Sequence, residues 1–183
     1  MGLKEETAEK HRIAEQKEFN QRMFRGELSN EEYVIYLEQQ LFIFGEFENN
    51  RKPINESLRR FDKIVNDVQE LTTNSNGKIL LSTINYVNYL SSLNNEDILP
   101  HVYLNYLALA YGGQMMKSNV PGSGRMYDFD NMMECVGSIR ALQKDEWADE
   151  VNKGFDFLIE IFDELQNFTG PNSQSFRRNN YSM

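Results

Sequence analysis

The chain has 183 residues, 40% of them hydrophobic and 26% charged, with a formal net charge of −9 at pH 7. That length suits one domain with a buried core, and the acidic balance argues against nucleic acid or an anionic membrane as partner. A single cysteine, Cys135, excludes an intrachain disulfide and any cysteine-based metal cluster.

Cys135 is expected to act as a small buried hydrophobe. Glu5, Glu6, Glu9 and Lys10 follow the first residues at once, so no secretory signal is expected, and no stretch approaches the ~18 to 20 apolar residues of a membrane span. The expectation is a soluble, cytoplasmic protein.

Almost every segment repeats its apolar residues at three and four positions and none alternates as a strand, so the predicted class is all-α. In the first helix Leu3, Thr7, His11 and Ala14 share a stripe, which predicts an inward-facing His11. Ser29 and Glu32 form a capping box that opens an aromatic-rich core helix through Tyr33, Tyr36, Leu37, Leu41 and Phe44. After a break near Pro53, Leu58, Phe61, Ile64, Val65, Val68 and Leu71 mark a third helix, ended by Asn74-Ser75-Asn76-Gly77. Leu80, Ile84, Val87 and Leu90 mark a fourth. Pro100 then opens a fifth, glycine-containing helix. Beyond a loop at residues 119–125 come a segment with Met132, Met133, Val136 and Ile139 and a long last helix whose buried side carries Val151, Phe155, Leu158, Ile159, Phe162 and Leu165. Six to eight helices are expected to share one core over residues 1–168, with residues 169–183 a polar, disordered tail.

Two features stand apart from this pattern. Gly112 and Gly113 lie together in an apolar helical run, where each costs a helix roughly 1 kcal/mol against alanine. A packing notch or kink between helices accounts for them, and so does close approach of a ligand to the backbone. His11, one of two histidines, is either a satisfied core residue or a ligand, and neutral imidazole is a standard ligand of heme iron. A ligand on one helix and a glycine kink on another suggest a flat cofactor held between the two.

At these positions the chain resembles the heme oxygenases, over roughly residues 3 to 166. Leu3-Lys4-Glu5 followed by Thr7 and His11 is similar to the family's first helix, and Phe24-Arg25-Gly26-Glu27-Leu28 leading into Glu32-Tyr33 resembles its next turn. His101-Val102-Tyr103 with Tyr106-Leu107, then Gly112-Gly113-Gln114, follows the distal helix, and Phe155 through Phe162-Asp163-Glu164-Leu165-Gln166 has the family's spacing. The resemblance implies a single-domain helical fold with heme, both cofactor and substrate, between the first helix and a glycine-kinked distal helix. It implies oxidative opening of heme to biliverdin with release of carbon monoxide and ferrous iron.

Carried over by position, the resemblance makes His11 the proximal iron ligand and Gly112 and Gly113 the flexible distal wall that directs attack to one meso carbon. Lys4 and Tyr103 match positions near the heme propionates, and Phe155 and Phe162 match aromatics lining the pocket. Arg140 is a propionate partner or an ordinary helix-surface arginine. Ala108 and Leu109 stand where many members have glycine and then an aspartate that organises distal water, and leucine neither donates nor accepts a hydrogen bond. Tyr111, Gln114 or backbone carbonyls are the candidate substitutes.

No glycine-rich strand-to-helix fingerprint is present, so no bound flavin or nicotinamide is expected. The resemblance implies a ferredoxin-type electron donor and a downstream bilin reductase as partners. Lys4, Lys10, Arg12, Lys17, Arg22 and Arg25 make the amino-terminal segment locally basic, which suits either a landing site for an acidic carrier or a solvated helical face. The competing readings are a heme binder in which Leu109 has removed turnover, a thiaminase-like hydrolase of related fold acting through Cys135, and a helical interaction module.

Overall fold

A computed structural model describes residues 1–72 and 74–169. Among these residues the chain forms nine α-helices and three short 3-10 turns, with no strand. The helices are α1 (Leu3–Gln16), α2 (Glu18–Phe24), α3 (Asn30–Glu48), α4 (Phe61–Leu71), α5 (Leu81–Ser91), α6 (Leu99–Ala110), α7 (Gly112–Met116), α8 (Met132–Arg140) and α9 (Ala148–Thr169). The count exceeds the expected six to eight partly because of two bends. Lys17 is extended at ψ 136° between α1 and α2, and Tyr111, at φ −101° and ψ −76°, divides α6 from α7.

Local chemistry sets the element ends. Gly26, at φ 72°, turns the chain out of α2 while Glu27 N–H donates to Arg22 O at 2.9 Å, closing the orphan carbonyls of the last turn. The capping box forms as the sequence predicts: Glu32 N–H donates to Ser29 Oγ and Ser29 N–H to Glu32 Oε1, both at 3.1 Å. Arg22 of α2 pairs with the same Glu32 carboxylate and ties the two helices together.

Buried residues line α3 on every side, from Tyr33 and Leu37 to Ile43, Phe44 and Phe47, so it runs through the middle of the main core. At its end the buried Glu48 accepts from Arg60 N–H, from Phe61 N–H at 2.9 Å and from Tyr106 Oη at 2.9 Å. One carboxylate thereby satisfies the first amides of α4 and fixes α6 against both helices. Asp67 of α4 does the same for the 3-10 turn Arg125–Tyr127, accepting from Arg125 N–H at 2.9 Å and Met126 N–H at 2.8 Å.

A second, smaller apolar cluster joins Leu3 and Ala14 of α1, Leu104 of α6, and Ala148, Val151 and Phe155 of α9, with Tyr103 packed at its edge. It holds α1 and α6 to the same stretch of α9, and so fixes where the first helix lies relative to the glycine-bearing segment. The carboxyl-terminal boundary differs by one residue from the expectation, because Thr169 is buried in α9 and its hydroxyl donates to Leu165 O at 2.7 Å. The rest of the predicted tail, residues 170–183, lies outside the described residues. No described helix is long and apolar enough to cross a membrane.

Candidate functional site

His11 does not face inward. Its side chain is 61% exposed, while Leu3, Thr7 and Ala14 are buried. Helical geometry explains the correction: at 3.6 residues per turn His11 stands about 60° round the helix from Ala14, at the flank of the stripe rather than its centre. There its ring stacks beside Phe155 of α9, with centroids 5.6 Å apart and planes inclined by 27°. His11 Nε2 pairs with Glu15 Oε1, one turn on, at 3.0 Å. A carboxylate that engages one ring nitrogen fixes the tautomer and leaves the lone pair of the other free for a metal. The i, i+4 spacing of Glu15 from His11 was readable in the sequence and was missed.

The inward histidine is His101, which has no exposed surface. Its Nε2 lies 2.9 Å from Glu150 Oε1 and its Nδ1 2.8 Å from Tyr86 Oη, while Asn105 Nδ2 donates to that hydroxyl at 3.0 Å. One tautomer satisfies the chain: Nε2–H donates to the carboxylate and Nδ1 accepts from Tyr86. Tyr89 Oη also donates to Glu150. Burial pushes the His101 pKa down and Glu150 pulls it partly back. Gly154 makes room, since a Cβ there would lie 2.6 Å from Leu104 Cδ2 and 3.0 Å from His101 Nδ1. With both nitrogens engaged, His101 joins α5, α6 and α9 as scaffold.

The glycine pair divides its work. A Cβ on Gly113 would lie 2.4 Å from the Tyr127 ring, so close packing from the interior requires that glycine. A Cβ on Gly112 would meet nothing within 4 Å. Ala108, Tyr111, Gly112 and Met115, spaced at three and four, form one exposed stripe along α6 and α7. Leu109 lies off that stripe in the main core, 6% exposed. Gln114 is tied down: its Nε2 donates to Tyr127 O at 2.7 Å.

On α8, Met133, Gly137 and Arg140 form a second exposed stripe, and a Cβ on Gly137 would again meet nothing within 4 Å. The Arg140 guanidinium carbon lies 5.8 Å from the centroid of the Tyr103 ring and 5.7 Å from that of Tyr111, bridging α8 to α6 and to the break just before Gly112. Tyr103 also meets Trp147 edge-on at 6.1 Å. A continuous run of contacts thus leads from His11 through Phe155 and its cluster to Tyr103, Arg140 and Tyr111. Phe162 is half-buried about two turns beyond Phe155 on α9, 6.5 Å from the Phe19 ring. Lys4 is exposed and forms no ion pair among the described residues.

The amino-terminal cations are not a free basic stripe. Lys10 pairs with Asp156 at 2.6 Å, Lys17 with Asp163 at 3.1 Å, Arg12 with Glu9 at 2.6 Å, and Arg25 with Glu27 and Glu18. Cys135 is fully buried and burial raises its thiol pKa, the opposite of what an activated nucleophile needs. Two recesses lie elsewhere. One of about 640 Å³ is bordered by Glu48, Arg51, Arg59 and Asp62; the other, of about 100 Å³, lies under Ile54, Leu58 and Val102. Among the described residues no three His, Cys, Asp or Glu side chains converge to hold a bare metal ion.

The residues on the open face suit heme. An exposed imidazole steadied by Glu15, an aromatic neighbour, an exposed stripe in which Ala108 and Gly112 leave the backbone open, and cations at Arg140 and Lys4 match a flat apolar ring with an anionic edge. The sequence profile of the family described as Heme oxygenase matches residues 1–134. The fold is similar to that of heme oxygenase-1 from the cyanobacterium Synechocystis sp. PCC6803, solved in complex with heme, with a TM-score of 0.78 and 22% identity over 90% of each chain. It is also similar to heme oxygenase from Leptospira interrogans, with a TM-score of 0.75 and 22% identity over 90% of this chain and 100% of that one. For heme oxygenase-2 from Synechocystis sp. PCC 6803, solved with heme and NO, the TM-score is 0.77 at 20% identity, covering 91% of this chain and 84% of that one. Comparison with curated proteins gave no match.

Proposed function

Because the chain belongs to the heme oxygenase family, we propose that it opens heme to biliverdin with molecular oxygen as oxidant, releasing carbon monoxide and ferrous iron, with electrons from an external ferredoxin-type donor. Heme supplies the redox-active iron and is itself the ring consumed. His11 would hold the heme iron, with Glu15 orienting its ring. Phe155 fixes the plane of the imidazole. Gly112 and Ala108, which carry little side chain on the exposed stripe, would let the backbone of α6 and α7 come close to a bound heme, and bulkier neighbours such as Tyr111 and Met115 would restrict which ring edge is open to oxidation. Arg140 and Lys4 balance the propionates. The chemistry belongs to the cytoplasm, where a reduced donor is at hand, and its product suits a bilin reductase downstream.

The observation that carries this reading is the exposed His11, pinned by Glu15 and stacked beside Phe155 within the small cluster that also reaches α6. The test is an absorption time course of the protein with hemin, ferredoxin, its reductase, a source of reducing power and air. Decay of the Soret band into a biliverdin spectrum is the expected result, and a protein that never shifts the hemin spectrum would refute the proposal. Leu109, buried and apolar, favours one second reading, a heme binder without turnover. A stable Soret band under the same reducing conditions would select it.

A further inference from the structure

We infer that the Tyr111 hydroxyl donates the hydrogen bond to a polar ligand held on the α6–α7 side of the heme, with Arg140 steadying its ring; this rests on the heme reading above. The starting point is a deficit. Along the exposed stripe, Ala108 offers a methyl group, Gly112 a hydrogen and Met115 a thioether, none of which is an N–H or O–H side-chain donor. Leu109 is turned into the core. Gln114 spends its amide hydrogens on Tyr127 O at 2.7 Å and Leu109 O at 3.4 Å.

Tyr111 remains. It follows Ala108 by three positions and precedes Met115 by four, which puts it on the same stripe. It occupies the break between the helices, next to the glycine whose Cβ position is open, and 53% of its surface is exposed. A large exposed phenol at a helix break would ordinarily sample several rotamers. Here the Arg140 guanidinium lies 5.7 Å from its ring and 5.8 Å from that of Tyr103, so one cation anchored on α8 is shared by two tyrosines. Cation–π attraction narrows the ring's freedom. The ligand this arrangement suits is a small anion or an oxygen ligand that accepts a hydrogen bond.

Fluoride and carbon monoxide are the probes, added to the hemin-loaded protein in its ferric and ferrous forms. Tyr111→Phe removes only the hydroxyl. It is expected to keep the parental Soret band, to bind fluoride about tenfold or more weakly, and to raise the C–O stretching frequency as the positive field at the carbonyl oxygen is lost. Arg140→Leu is expected to shift both readouts in the same direction by less. Tyr111→Phe with parental fluoride affinity and an unshifted C–O band overturns the assignment while leaving the heme reading intact. No Soret band in the parent overturns both.

Discussion

His101 and His11 stand on helices that both pack against α9, in opposite environments. Around His101 every polar atom of the ring, of Tyr86 and of the Asn105 amide nitrogen is matched inside the protein. Around His11 the packing stops: the ring has one carboxylate, one aromatic neighbour and open space. The first region is arranged to stay as it is, since unpairing a buried polar group is costly. The second has coordination left to give. Metal-binding capacity follows from an uncommitted lone pair, and the more buried histidine is the one that has none.

Stability measurements sharpen the contrast most. His101→Leu strands Tyr86 and Glu150 and is expected to cost about 2 to 4 kcal/mol in urea unfolding. His11→Ala should stay within about 0.5 kcal/mol of the parent. Equal losses for the two would break the comparison. The glycines repeat it on a smaller scale. Gly113→Ala forces a methyl group against the Tyr127 ring and should cost about 1 to 3 kcal/mol, whereas Gly112→Ala meets nothing and should be neutral or gain up to about 1 kcal/mol. For Gly112→Ala the loss is expected instead in hemin affinity, read by Soret titration.

Acid should find the same weak point. Because burial lowers the folded pKa of His101 below its ordinary 6.5, the unfolded chain takes up a proton first. Stability is therefore full above about pH 6.5 and falls as pH drops from there toward the folded value. His101→Gln, which cannot titrate, should flatten that part of the pH profile, and an unchanged slope would contradict the assignment. The smallest effect is expected at the surface pair of Lys10 and Asp156: Lys10→Ala should leave the unfolding midpoint unmoved within error.

Much of the fold was legible because helical period, the Ser29–Glu32 capping box and Pro100 act locally. The boundaries that slipped lie at bends such as Lys17 and Tyr111, where tertiary packing decides. At the site, the sequence offered His11, Gly112 and Arg140 as candidates but misjudged the orientation of the histidine, because steps of four residues from Leu3 through Thr7 drift around the helix and bring His11 to the flank, while Ala14, three residues on, falls back on the buried side. The glycine pair read as one feature; only the position of Tyr127, from a turn more than ten residues later, separates the packed glycine from the open one. Leu109 was equally ambiguous, since its side chain belongs to the core and not to the exposed stripe. The basic amino-terminal segment suited either a landing site or a solvated helical face, and its ion pairs could not be read locally, because Asp156 and Asp163 come from α9, more than 140 residues away.

The most direct measurement is a hemin titration of the parent, His11→Ala and His101→Gln proteins, followed at the Soret band. The account predicts that the parent and a folded His101→Gln protein develop the same band and that His11→Ala loses it. A band retained in His11→Ala and lost in folded His101→Gln would place the iron on the other histidine and contradict the account.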